Sequence, residues 1–224
     1  VIRSSLSALE SELPGETGNQ NQTVTLRQLI KNSDRECRRM ARLVGDMLLL
    51  ASSDAGNWEL HYTQTEPDTL LIEAYEAFLP LCREKNINLI LELPKEPFPP
   101  LLADRQRLEQ VITILLDNAI SYTPAGKEVR LKMYKKEGSR RISAGYFRTV
   151  IEVADTGKGV PDEMKQRIFD RFYRGDASRK DKKHFGLGLS IAKELTEMHG
   201  GTLAVHDNPG GGSRFVVTLT LQQA

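Results

Sequence analysis

The segment Gly186-Leu187-Gly188-Leu189-Ser190, which opens an amphipathic stretch ending at His199, restricts the chain more than any other. Backbone N–H groups at a helix N-terminus have no intrahelical partners, and neighbouring glycines let an anion approach them. The segment therefore reads as a phosphate site. It is not the dinucleotide type, because no short strand leads straight into the glycines. It is not the Walker type, because no lysine and hydroxyl pair follows them. A phosphate site of another architecture is implied.

Three further segments narrow it. Asn118, within Leu115-Leu116-Asp117-Asn118-Ala119, is a neutral oxygen donor on an otherwise apolar helix. Mg2+ takes few protein oxygens and completes its shell with water and nucleotide phosphates, so a lone Asn suits it. Asp155-Thr156-Gly157-Lys158-Gly159 follows directly on Val153-Ala154. A carboxylate at a strand end can accept a hydrogen bond from an exocyclic amino group such as that of adenine. The two glycines let a ligand approach the backbone. Pro209-Gly210-Gly211-Gly212-Ser213 lies between two strand-like runs. Taken singly, these are also a surface Asn, an Asp-Gly turn and a flexible hairpin. Their occurrence in one order along one chain carries the weight.

Upstream the pattern changes. Val1 to Leu13 carries Ile2, Leu6, Leu9 and Leu13, opens in mid-helix pattern without an initiator methionine, and reads as part of something longer. A polar, turn-rich stretch, 14–23, precedes an expected helix start with Thr25 as cap, Gln28 at the capping-box position and Val24 stapled to Leu29. Leu26, Ile30, Ser33, Cys37, Met40, Val44, Met47 and Ala51 then recur at alternating spacings of four and three. That is the seam of a coiled coil or bundle. Residues 1–56 thus predict a partial antiparallel hairpin that needs a second copy to bury both seams, a dimeric four-helix bundle.

From 57 to 224 the pattern mixes both periods. Strands are expected from Leu60 to Tyr62, Asn88 to Leu93, Glu128 to Lys136, Phe147 to Ala154, Thr202 to His206 and Arg214 to Leu221. Helices are expected from Asp68 to Lys85, from an Asp104 cap to Tyr122, and from Leu187 to His199. Pro94 to Pro100, Gly138 to Gly145 and the charged stretch from Tyr173 to Phe185 read as loops. Without regular βαβ alternation the fold class is α+β, a layered sandwich. A net charge of +1 gives no field for nucleic acid, and no run is apolar enough to cross a bilayer. Cys37 and Cys82 sit in helical patterns and read as reduced packing residues.

With Ile168-Phe169-Asp170-Arg171-Phe172-Tyr173-Arg174 between the second and third segments, the set resembles the ATP-binding domain of sensor histidine kinases of two-component systems. "GLGLSIAKELTEMHGG", from Gly186 to Gly201, follows that family's pattern through a whole helix, and the resemblance covers Leu60 to Leu221. It implies a two-layer α/β sandwich of the histidine-kinase, gyrase and chaperone ATPase type. The preceding hairpin resembles the family's dimerisation and phosphoacceptor region.

Residue roles follow from the resemblance alone. Asn118 would hold Mg2+ and serve catalysis. Asp155 would read the adenine amino group of ATP beside Gly157 and Gly159, with Tyr122 near the nucleotide. Gly186, Leu187, Gly188 and Leu189 would wrap the phosphates, and Ser213 would complete the binding set. Phe169 and Phe172 would anchor a lid in which Arg174, Arg179, Lys180, Lys182 and Lys183 supply positive charge suited to phosphoryl transfer. The implied function is phosphorylation of a histidine and relay to an aspartate on a response regulator. The implied setting is a homodimer, in the cytoplasmic portion of a membrane-anchored sensor.

The chain departs from the family's pattern in places. Ile114 stands where a first Asn is common, or a Glu general base in the hydrolytic relatives, and Ile cannot activate water. Ser121 replaces a common cation, and Lys183 and His184 replace small lid residues. The acceptor histidine aligns upstream of Val1. His61, His184, His199 and His206 read as structural or surface residues, His199 as a favourable charge at a helix C-terminus. Two alternatives stand beside the kinase. One is a degenerate, nucleotide-binding signalling module. The other is a hydrolytic ATPase, which the absence of an acid at position 114 disfavours.

Overall fold

The computed structural model describes residues 20–55, 59–136, 146–174 and 185–222. The chain forms two compact units, Val1–Ser52 and Ser53–Ala224. The helical pattern of Val1 to Leu13, the Gly138 to Gly145 connection, and Arg179, Lys180, Lys182, Lys183 and His184 lie outside the described residues.

The first unit is described by one long helix, α1 (Gln20–Asp54). It already runs at Gln20, so it does not start at Thr25. The polar run Gln20-Asn21-Gln22-Thr23 holds neither Gly nor Pro, and nothing in it breaks the hydrogen-bond ladder. The expected seam divides. Ile30 is buried, whereas Met40, Val44 and Met47 form an exposed apolar stripe at helical spacing. No described helix is long and apolar enough to cross a membrane.

The second unit is the expected α+β sandwich. Its strands are β1 (Thr63–Thr65), β2 (Asn88–Glu92), β3 (Leu101–Ala103), β4 (Glu128–Lys135), β5 (Tyr146–Asp155), β6 (Thr202–Asp207) and β7 (Ser213–Gln222). Its helices are α2 (Pro67–Glu84), α3 (Arg105–Tyr122), the short α4 (Asp162–Lys165) and α5 (Gly188–Met198), with one 3₁₀ turn, Arg167–Phe169. Five strands form a sheet in the order β2-β4-β5-β7-β6, parallel only between β2 and β4. The first strand falls at Thr63–Thr65 rather than Leu60 to Tyr62, because it pairs with β3, a strand the sequence did not announce.

Strand alternation places one face of the sheet under the helices. Val129, Leu131 and Met133 of β4 and Phe215, Val217 and Leu219 of β7 are buried there. Leu108, Val111, Ile112, Leu115, Leu116, Ala119 and Ile120 of α3 are buried as well, as are Ile191, Ala192 and Leu195 of α5. On the other face Arg130 bridges Glu92 at 2.9 Å and Glu128 at 2.7 Å, which keeps that surface polar. Cys37 and Cys82 are free thiols.

Asp104 caps α3, its Oδ1 accepting the Arg107 N–H at 3.1 Å. Its Oδ2 accepts the His61 N–H at 3.0 Å, and its own N–H donates to Nε2 of His199 at 3.3 Å. Nδ1 of His199 donates to the Leu195 carbonyl at 2.7 Å, so the ring is a neutral bridge between α5 and the start of α3. His199 is therefore not the helix-end cation expected from the sequence. It is buried, and burial lowers its pKa below the usual value, against the opposing pull of the Leu195 carbonyl and Asp104.

Below about pH 6.5 an unfolded histidine takes up a proton that folded His199 still refuses. Stability from this group is present above that pH and is lost as pH falls toward the folded pKa. Urea midpoints are expected to drop on acidification through this window, and His199→Gln is expected to flatten that part of the slope.

Candidate functional site

The site begins at the last residue of β5. Asp155 is only 3% exposed, and its Oδ1 accepts the Gly157 N–H at 2.8 Å. The Ser213 N–H also donates to this carboxylate. Burial pushes the carboxyl pKa up, and the two amides pull it back. Pairing of β5 with β7 runs to Ala154↔Arg214, and the next step would set Asp155 opposite Ser213. There the Ser213 amide turns to the side chain instead. The Asp155 carbonyl takes a replacement donor, Nδ2 of Asn208, at 2.8 Å.

Glycines make this crowding possible. A Cβ on Gly212, where φ is +88°, would lie 2.2 Å from the Asp155 carbonyl oxygen. A Cβ on Gly157 would lie 2.4 Å from the Tyr122 carbonyl oxygen, so the end of α3 abuts the Asp155 turn. On the other side of Asp155, the Thr156 hydroxyl accepts the Glu128 N–H at 2.9 Å and continues the pairing with β4. Gly159 faces Gly212 across this turn.

Ile114, Asn118 and Tyr122 fall on one face of α3 at successive i, i+4 steps, spanning ~12 Å of helix rise. At the far end of that face the Ile114 Cγ2 lies 3.3 Å from where a Gly188 Cβ would stand, against the first residue of α5. Asn118 is half-buried midway, and Tyr122 is exposed. The start of α5 presents backbone rather than side chain. Leu187 is 1% exposed, a core residue whose carbonyl accepts the Ser190 hydroxyl at 2.8 Å. Leu189 is half-buried.

The described residues on either side of 175–184 meet through backbone too. The Phe172 N–H donates to the Gly186 carbonyl at 2.9 Å, and a Gly186 Cβ would lie 2.7 Å from the Tyr173 carbonyl oxygen. Phe169 meets the buried Phe215 ring edge-on, with centroids 6.5 Å apart. Phe172 instead is 56% exposed at φ +63°. Arg167 lies over the Tyr173 ring, 4.7 Å from its centroid, and Arg174 is half-buried beside Gly186.

The chain thus brings Asp155, Gly157, Gly159 and Ser213 together at one end of the α3 face and Gly186, Leu187 and Gly188 at the other. Asn118 lies between them. The arrangement fits a nucleotide: a buried acceptor for a base amino group, a glycine-lined path, and helix-start N–H groups for anions. No group of three or more His, Cys, Asp or Glu side chains able to hold a metal ion occurs among the described residues. Asn118, half-buried on the α3 face, carries a side-chain oxygen of the kind Mg2+ takes beside phosphate oxygens and water. Sequence reasoning missed Asn208 and Thr156, although the Asn-Pro pair before the glycines is a turn signal.

Residues 103–223, more than half of the chain, match the family of histidine kinase-, DNA gyrase B-, and HSP90-like ATPases. The adaptive-response sensory kinase SasA of Crocosphaera subtropica is 33% identical over 192 residues, covering 86% of this chain and 48% of its own length. The alginate biosynthesis sensor protein KinB of Pseudomonas aeruginosa is 34% identical over 191 residues, covering 85% of this chain and 30% of its own. The chain thus spans less than half the length of either relative. The crystal structure of full-length ShkA in complex with AMPPNP superposes with a TM-score of 0.72 at 27% identity, covering 100% of this chain and 47% of that one. The nucleotide-free catalytic domain of the histidine kinase ThkA shares the fold with a TM-score of 0.60 at 24% identity, covering 72% of this chain and 96% of that one.

Because burial raises its pKa, folded Asp155 holds a proton at pH values where an unfolded Asp, at about 3.9, has lost it. Stability from this group is greatest below that value and declines as pH rises through the folded pKa. The Asp155 carboxyl carbon is expected to titrate in NMR above the ordinary carboxylate midpoint. A midpoint at or below about 3.9 would contradict the burial argument.

Proposed function

We propose, since the chain belongs to the histidine kinase-, DNA gyrase B-, and HSP90-like ATPase family, that it is the catalytic portion of a two-component sensor histidine kinase. It binds Mg-ATP and transfers the terminal phosphoryl group to a histidine of the complete protein, for relay to an aspartate of a response regulator. One observation carries the reading: a single face of α3 is tied at one end to the Asp155 turn and at the other to the glycine start of α5. Base recognition and phosphate binding are thereby set a nucleotide's length apart on one rigid helix.

Each part has a stated task. Asp155 accepts a hydrogen bond from the adenine amino group, and Gly157 and Gly212 keep the approach free of side chains. Tyr122 lies beside the base. Gly186, Gly188 and the backbone of Leu187 and Leu189 hold phosphate oxygens. Arg174 at the lid's stem offers charge to the phosphates. Bound Mg2+, with Asn118 as its protein ligand, would neutralise charge on the phosphates. Ile114, one turn before Asn118 on the same face, offers no base to activate water, which favours an acceptor brought from outside. The exposed stripe of Met40, Val44 and Met47 supports dimerisation through the helical unit. The likeness to sensor kinases supports a response regulator as partner and a cytoplasmic location in an anchored sensor.

A second reading has one observation in its favour. Ile114 packs where Gly188 opens the phosphate end, so that end has one side-chain oxygen fewer to offer a metal. A nucleotide-binding module that signals without transfer would tolerate this.

The two readings separate by experiment. Incubating the full-length protein with ATP labelled at the terminal phosphate is expected to give a phosphoprotein stable to base and labile to acid. Nucleotide binding with no such product would establish the second reading. Asn118→Ala is expected to cut transfer by a hundredfold or more, on the order of an electrostatic contact at a reacting phosphate. It should weaken nucleotide binding by calorimetry much less without Mg2+ than with it.

A further inference from the structure

We propose that Asn208 is a positioning residue that sets purine selectivity at this site, an inference that rests on the nucleotide reading above. Asn208 follows β6 and precedes Pro209, which restricts it to extended conformations. It makes three hydrogen bonds with separate consequences. Its N–H donates to the Gly212 carbonyl at 3.1 Å, and its carbonyl accepts the Gly211 N–H at 2.8 Å. These two close the glycine turn upon itself. The third, from Nδ2 to the Asp155 carbonyl at 2.8 Å, is the one that ties the turn to the base-reading residue.

Gly211 and Gly212 both adopt positive φ and carry no side chains, so no side chain of these two residues helps to fix the distance of the turn from β5. Yet that distance decides where the Ser213 amide stands, and this amide is one of the two donors that aim the Asp155 carboxylate. Without the Asn208 donor the Asp155 carbonyl, pressed against Gly212, is left short of a partner. An unsatisfied buried acceptor is relieved by movement of the turn. The carboxylate then loses its fixed direction.

Direction is what discriminates between purines. A carboxylate accepts from the 6-amino group of adenine and opposes the 6-oxo group of hypoxanthine or guanine, acceptor against acceptor. A site built to hydrogen-bond one group rejects its analogue through the unpaired polar atoms that result. A carboxylate free to swing aside rejects it less. Asn208 therefore acts on selectivity through Asp155, without touching the base.

The test is calorimetric titration of the chain with ADP and with inosine 5′-diphosphate, which share phosphates and differ at the 6-position. Asn208→Asp keeps the shape and removes the donor; Asn208→Gln keeps the donor; Asn208→Ala covers the case in which the Asp variant fails to fold. The parent chain is expected to prefer ADP. Asn208→Asp, or Asn208→Ala in its place, is expected to lose on the order of tenfold in ADP affinity with little change for the inosine nucleotide. Asn208→Gln is expected to recover part of the preference. Equal losses for both nucleotides, or an unchanged ratio, would overturn the proposal and leave Asn208 a purely structural residue. A parent chain that binds ADP without preferring it over the inosine nucleotide would also overturn it. A parent chain that binds neither nucleotide would instead overturn the reading of the site.

Discussion

Asp155 keeps a buried carboxylate at the end of β5 because a backbone amide leaves the sheet to hold it. In a regular antiparallel ladder the Ser213 N–H would serve the opposing carbonyl. Here it serves the carboxylate, and the displaced carbonyl is satisfied by Asn208. Every other feature of this end follows from that exchange. The chain after Asp155 must turn at once, so Gly157 sits against the Tyr122 carbonyl. The chain before Ser213 must pass over the Asp155 carbonyl, so residue 212 has no room for a Cβ. Burial raises the Asp155 pKa, and the Gly157 and Ser213 amides oppose that rise.

Helix α3 transmits this local exchange to the rest of the domain. Its buried side is a run of Leu, Ile, Val and Ala locked over the sheet, so the helix cannot rotate without opening the core. On another face of the same helix Asn118 is half-buried between Ile114 and Tyr122. Asp104 fixes where the helix starts, and His199 fixes Asp104 to α5. Helices α3 and α5 therefore share a neutral, buried hydrogen-bonded joint.

How much of this was legible in the sequence depended on whether its cause was local. The Asp104 cap, the 3.6 period of α3 and α5, and the alternation in β4 and β7 are signals carried by neighbouring residues, and each element formed close to where it was expected. The strand at Thr63–Thr65 was misplaced because a three-residue strand takes its register from its partner, Leu101–Ala103, some forty residues away by the register of pairing. The Thr25 cap failed because a capping signal only permits a helix to start; nothing upstream forced it to. His199 read as a structural or surface residue with a favourable charge at a helix end, and its burial in the neutral form is a property of the fold. In the site, the glycines, Asp155 and Asn118 were visible as residue types at turns and helix faces. Asn208 was not, since its role exists only after β5 and β7 exchange a donor.

The two ends of the cleft are held by different kinds of force. The base end is built from strand termini joined by short hydrogen bonds between groups that cannot move independently: Asp155 with Gly157, Ser213 and Asn208, and Thr156 with Glu128. The phosphate end is the first turn of a helix, reached from the lid's stem through one backbone bond between Phe172 and Gly186. Its near wall is the methyl of Ile114, which directs nothing. In the proposed kinase, the hydrogen-bonded base end would supply selectivity, and the helix-start end would present the terminal phosphate to an acceptor on another element.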